Sequence, residues 1–296
     1  MDGSTARPDL GRVVVGVDGS PSAHAAARWA AAEAVLRDAG LVIVHATETA
    51  GMAGILSPES IAGRRQSGQA LLDRTAEAVA ASHPELVLVK ELSGGSPVDS
   101  LRRAAAPGGT IAVGHQALGG FSSHLLGPVG LKVAAHATTP VVVVRGAGGS
   151  AEAGAVLTAV RDVDDLGCAR AAAHEARLRN VPLRLLHVSS TPRSGGAREA
   201  PPNGAEEVAR DHERALSEVA DRVRDEFPDL EVHADCEQSR SVPGTLVDAS
   251  RHVDLLVAGG RREPGHRGPA IGRTTLHLLQ QAHCPVELIP RHGPGR

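Results

Sequence analysis

Residues 110–145 read TIAVGHQALGGFSSHLLGPVGLKVAAHATTPVVVVR, and residues 255–289 read LLVAGGRREPGHRGPAIGRTTLHLLQQAHCPVELI. In the first stretch Gly114, Gly127 and Pro140 are thirteen residues apart, and Gly259, Gly272 and Pro285 repeat that spacing 145 residues later. Leu101 and Leu246 share the offset. A repeat of this kind fixes domain count better than chain length does. Toward the start the offset is 142, pairing Glu33 with Glu175, Arg37 with Arg179 and His45 with His187. Three extra residues therefore enter the second copy between His187 and about Val232. The run SSTPRSGGAREAPPNGAEE in that interval is rich in Pro, Gly and Ser and reads as a loop. The domains are placed at 1–147 and 154–296, joined by a flexible linker GAGGSAEAG at 146–154.

Working outward, apolar runs alternate with segments of good helix formers. Strands are predicted at 13–17, 41–45, 86–89, 110–114 and 141–145. Helices are predicted at 21–38, 60–82, 97–106 and 123–137. The second copy repeats the series from Val156 to Ile289. Strands alternating with helices require right-handed crossovers and a parallel sheet covered on both faces. The fold class is α/β, with two tandem doubly wound parallel-sheet domains.

Composition agrees. The 296 residues are enough for two domains. Apolar residues make up 42% but aromatics only 1%, so Val, Leu, Ile and Ala must fill the cores. A net charge of −3 argues against electrostatic capture of nucleic acid. The opening MDGSTARPDLGR lacks the apolar core of a signal peptide, and no run approaches the roughly 18 apolar residues of a membrane span. Cys168, Cys236 and Cys284 are far apart, odd in number and outside any CxxC spacing, which suits a reducing cytoplasm.

Three segments together are similar to the universal stress protein family. They are VVVGVDGSPSA at 13–23, VGHQALGGFSSHLLGPVG at 113–130, and TTPVVVVR at 138–145. Cys284-Pro285-Val286 gives the second copy the same ending. The resemblance implies a flavodoxin-like sheet of the adenine nucleotide alpha hydrolase type and a stress-linked regulatory role. In one subgroup it implies ATP binding through Gly-x-x-Gly, nine residues, then Gly-Ser or Gly-Thr. The physics of such a motif is general: glycines let backbone N–H groups approach phosphates, and a helix N-terminus adds unpaired donors and a positive dipole. An acid closing the first strand belongs at the switch point of the sheet.

Mapped onto this chain, the resemblance implies nucleotide contacts at Gly16, Asp18, Gly114, Gly119, Gly120, Gly127 and Val129. The first copy departs from the subgroup at Ala117, where the second glycine is expected, and at Pro128, where Ser or Thr is expected. Proline suits a helix start but carries neither hydroxyl nor N–H. The second copy departs further. Either Val160 or Arg161 stands in place of Asp18, Arg262 replaces a glycine, and Arg273 follows Gly272. Its loop arginines 261, 262, 267 and 273 read either as an anion site or as an exposed basic loop.

Other features read as structural. Ser93-Gly94-Gly95 with Asp99-Ser100 resembles the SGGxDS loop of adenylating enzymes, but its length is wrong by two residues and it follows the third strand. A helix-start turn fits better. His45 and His187 sit at equivalent strand ends, and Trp29 lies in the Ala-rich first helix as a packing residue. No zinc-like histidine motif, GxSxG elbow or Cys-His-Asn arrangement is present, so no catalytic or metal site is expected.

Two function classes remain open. One is a regulator whose first copy binds ATP weakly; the other is a scaffold that acts through unknown protein partners without nucleotide. ATP hydrolysis lacks a visible general base or metal-binding carboxylate pair. The closing strands 141–144 and 286–289 would each expose a β-branched edge. They are therefore expected to pair within one chain, which is then a monomer or a homodimer.

Overall fold

The computed structural model describes residues 11–52, 54–106, 108–115, 126–145, 154–190, 202–260 and 271–290. The chain divides into two units. In the first unit β1 (Val13–Gly16), β2 (Leu41–Ala46), β3 (Leu88–Ser93), β4 (Thr110–Gly114) and β5 (Val141–Val144) form a sheet of order β3-β2-β1-β4-β5, with every pair parallel. Helices α1 (Pro21–Leu36), α2 (Pro58–Ser82), α3 (Pro97–Ala105) and α4 (Pro128–Ala135) are the crossovers. The chain winds outward from β1 to β3, then returns to β4. The switch point lies at the carboxyl ends of β1 and β4.

Local chemistry explains these elements. The Val-rich strands β1 and β5 are buried on both faces, as a parallel sheet under helices demands. Helix α1 starts where the Ser20 hydroxyl accepts from the Ala23 N–H at 3.1 Å, with Pro21 in the first turn. Ala23, Ala26, Ala27, Ala30, Ala31 and Ala34 line its buried face, so small side chains let the helix lie close to the sheet. It ends near Asp38, whose φ of 55° no helix continues. Trp29 packs partly buried against this core, as its place in the helix suggested.

The second unit repeats the plan. Strands β6 (Val156–Ala159), β7 (Leu183–Ser190), β8 (Val232–Ser239), β9 (Leu255–Gly259) and β10 (Val286–Ile289) have the order β8-β7-β6-β9-β10, all parallel. Helices α5 (Leu166–Arg179), α6 (Pro202–Glu226), α7 (Val242–Ala249) and α8 (Arg273–Gln281) connect them, with short 3₁₀ turns at Val163–Asp165 and Ser250–His252.

Several boundaries move. The predicted helix 123–137 begins only at Pro128, because Gly127 takes the extended conformation of an N-cap with proline at the first helical position; residues 123–125 lie outside the described residues. The predicted strand 86–89 runs instead from Leu88 to Ser93. Leu86 belongs to the turn after α2, its N–H donating to His83 O. The run 189–207 is not all loop: β7 includes Ser189 and Ser190, and α6 starts at Pro202. Nor do all three extra residues enter before Val232. Register pairs His45 with Leu92 and His187 with Cys236, so the third enters between β8 and the N-cap Ser241 of α7.

Candidate functional site

At the switch point of the first unit lies a cavity of ≈ 220 Å³. Of the predicted positions, Gly16, Asp18, Gly114, Gly127 and Val129 line it together. Gly119 and Gly120, with Ala117, lie outside the described residues.

The acid is fixed by its own turn. Asp18 Oδ1 accepts from the Ser20 N–H at 2.9 Å, across Gly19 at φ 85°. Ser20 and Ser22 share a hydroxyl hydrogen bond of 3.0 Å and also line the cavity. Gly114 is required by packing: a Cβ there would lie 2.4 Å from Ser22 O. The end of β4 therefore touches the first turn of α1, and no side chain fits between them.

The start of α4 also lines the cavity, through Gly127, Val129 and Gly130. Gly127 caps the helix with φ −60° and ψ 158° and has no side chain to bond the first-turn N–H groups. Val129 and Gly130 thus present backbone donors that the helix itself does not use. Pro128 between cap and donors supplies none.

The third wall comes from the end of β2, through Val44, His45, Ala46 and Glu48. The ring of His45 bonds the Val17 carbonyl through Nδ1 at 2.7 Å, a structural role as read from the sequence. Sequence reasoning missed Ser20, Ser22 and Glu48. The only signal for Glu48 was an acid between two threonines just past a strand.

The serine cluster after β3 is a helix-start turn. Ser93 Oγ accepts from Gly95 N–H at 3.1 Å and from the Ser100 hydroxyl at 2.7 Å, while Ser96 caps α3 at Asp99 N–H. Ser93 and Ser100 are buried. The two buried cysteines are not set up as nucleophiles: burial pushes the Cys168 thiol up to about 11 and the Cys284 thiol up to about 12. Among the described residues no three His, Cys, Asp or Glu side chains are grouped to hold a metal ion.

The second unit has its own cavity, ≈ 310 Å³, at the ends of β6 and β9. Its register settles which residue replaces the acid. His45 bonds the carbonyl of Val17, and His187 bonds that of Val160 at 2.9 Å. Arg161, one residue on, therefore stands where Asp18 does. Its N–H and Nε both reach Asp165 Oδ2, at 2.8 and 3.4 Å. Arg273 opens α8, and Thr275 donates to the Gly259 carbonyl at 3.3 Å. Arginines 261, 262 and 267 lie outside the described residues.

The sequence profile of the Universal stress protein family matches residues 10–145 and again 155–290. The chain belongs to that family. A universal stress protein of Mycolicibacterium smegmatis is 26% identical over 289 residues, covering 94% of this chain and 96% of its own. Among solved structures, a universal stress protein from Archaeoglobus fulgidus DSM 4304 superposes with a TM-score of 0.67 at 15% identity, covering 95% of this chain and 98% of that one. A shorter universal stress protein from Archaeoglobus fulgidus, solved in complex with dAMP, matches 45% of this chain at 25% identity and a TM-score of 0.34, covering 95% of its own length.

Within this universal stress protein the two domains have diverged at the same place. The first sets carboxylates, Asp18 and Glu48, around its cavity. The second sets Arg161 and Arg273 there, with Asp165 the one acid of the wall among the described residues. No described helix is long and apolar enough to cross a membrane.

Proposed function

We propose that the first domain binds one adenine nucleotide, ATP in the first instance, as a regulatory ligand, and that the second domain does not. The carrying observation is the cavity at the β1–β4 switch point, lined by the carboxylates of Asp18 and Glu48 and by the start of α4. The donor set fits the group. Backbone N–H groups of Val129 and Gly130, at the positive end of a helix, suit phosphate. Asp18 suits ribose hydroxyls, which need acceptors. Glycines at 16, 114 and 127 keep side chains out of the space between.

The nucleotide acts here as a signal rather than a substrate, altering the surface that α4 and the neighbouring loops offer to protein partners in a stress response. Pro128 favours the second reading, a scaffold without nucleotide, because it removes a donor at the phosphate end.

Titration calorimetry with ATP decides between the two. The expected result is one site per chain, lost in Asp18→Ala, with no ADP formed on prolonged incubation. Two comparable sites would overturn the assignment to the first domain. No detectable binding would leave the scaffold reading.

A further inference from the structure

Among the described residues, Glu48 combines three properties that no other residue of the first cavity shares. It lines the cavity, it carries a carboxylate, and its backbone is left-handed, with φ 52°. That conformation is uncommon for a glutamate and persists only where its surroundings impose it. Here they do. The Thr47 N–H donates to Ser93 O at 2.8 Å, and the Ala50 N–H to Gly94 O at 2.7 Å. The Thr47 and Thr49 hydroxyls bond each other at 2.9 Å, and Thr47 Oγ1 also donates to Ser93 O. Both threonines are buried, and the residue between them is turned out to the cavity wall.

Position along the sheet then says what Glu48 would meet. The cavity spans β4, β1 and β2 in spatial order and takes no residue from β3 or β5. Phosphate donors sit at the β4 end, on α4. Asp18 stands in the middle, after β1. Glu48 is at the far end, after β2. A ligand held by its phosphates at α4 must run past Asp18 with its ribose and reach Glu48 with its base.

We propose that Glu48 is the base-reading residue of this site and selects 6-aminopurines over 6-oxopurines. The proposal rests on the nucleotide reading above and names the chemistry of its base end. An ionised carboxylate only accepts hydrogen bonds. The exocyclic amine of adenine donates one at position 6, whereas hypoxanthine and guanine place an acceptor there and carry their nearest donor at N1–H instead, so a carboxylate aimed at position 6 faces a lone pair. A site built around one hydrogen-bond partner rejects the analogue that lacks it. The second domain supplies an internal contrast. Ser190, three residues after His187 as Glu48 is after His45, does not line the second cavity. That domain carries neither Asp18 nor Glu48.

The test compares ATP with ITP, which exchanges the 6-amino donor for a 6-oxo acceptor and adds a hydrogen at N1, on the full chain by calorimetry. Wild type is expected to prefer ATP by roughly ten-fold or more, the size of one charged hydrogen bond. Glu48→Gln, whose amide can donate or accept, is expected to bring the two within about three-fold. Glu48→Gly should lose the preference too while keeping or raising the melting temperature, because glycine adopts φ 52° without strain. ATP binding with an ATP/ITP ratio unchanged in both variants overturns the role of Glu48 and leaves the nucleotide site standing. Failure of wild type to bind either nucleotide overturns the site itself.

Discussion

The imidazole of His212 lies over that of His187, ring centroids 4.4 Å apart and planes inclined by 35°. His212 is the eleventh residue of α6, as Gly68 is the eleventh of α2. In the first domain Gly68 closes on His45 so tightly that a Cβ would lie 2.7 Å from the ring. The second domain has replaced that close approach with a second ring. His187 Nε2 and His212 Nδ1 are buried atoms without a hydrogen-bond partner among the described residues.

This pair predicts acid sensitivity in the second domain. Burial pushes the His187 imidazole below its ordinary value; the Val160 carbonyl opposes this and the charge of His212 adds to it. The folded state therefore favours the neutral ring. Its contribution is complete above the ordinary value of 6.5 and is lost as pH falls through the lower folded value. Urea midpoints measured from pH 7.5 to 5 should fall more steeply for wild type than for His212→Gly. The level of the variant is lowered by roughly 1 kcal/mol because glycine weakens the helix, so the slope is the readout. Equal slopes would refute the coupling.

A second prediction follows from the buried ion pair that both domains keep. Arg37 donates from Nε to Glu33 Oε1 at 2.7 Å and from a terminal nitrogen to Thr110 Oγ1 at 2.8 Å, tying α1 to the first residue of β4. Glu33 and Arg37 are 4% and 7% exposed, so removing one charge strands the other. Arg37→Met should cost about 3–5 kcal/mol in urea unfolding, and Glu33→Leu with Arg37→Met should recover most of it. Arg179 pairs with Glu175 at the same i, i+4 spacing through a terminal nitrogen, but its side chain is 13% exposed against 2% for that of Arg37. Arg179→Met should therefore cost less. An equal loss at both sites would count against burial as the source of the cost.

How much of this was legible in the sequence depends on how local the cause is. Asp18, Gly114 and Gly127 were legible because strand, turn and helix start are short-range chemistry. Glu33 with Glu175, and Arg37 with Arg179, were visible as repeated positions, though not as an ion pair. The choice between Val160 and Arg161 was not. One residue separates the two alignments, and only the bond from His187 to the Val160 carbonyl fixes the register. Glu48 was hidden for the same reason. Its left-handed backbone is imposed by Ser93 and Gly94, more than forty residues away, and no propensity of its own marks it. The start of α4 was misplaced because apolar residues before Gly127 extend the helical pattern, and the fitness of Pro128 for a helix start was not used to set the boundary.

That pair carries the last prediction. Pro128 occupies the first helical position of α4, where the missing N–H would be unused by the helix and so costs no stability. A phosphate placed at this end would feel its absence. Pro128→Ala restores the donor alone, and Pro128→Ser restores the donor and adds a hydroxyl. ATP affinity should rise in the order Pro, Ala, Ser, by roughly ten-fold in total if one charge-assisted hydrogen bond is gained. Both variants should lose a few tenths of a kcal/mol of stability, up to about 1, through the freer unfolded chain, so affinity and stability move in opposite directions. A nucleotide affinity that stays flat across the three proteins would show that the phosphates do not rest on α4, and the order of groups along the sheet would have to be reversed or abandoned.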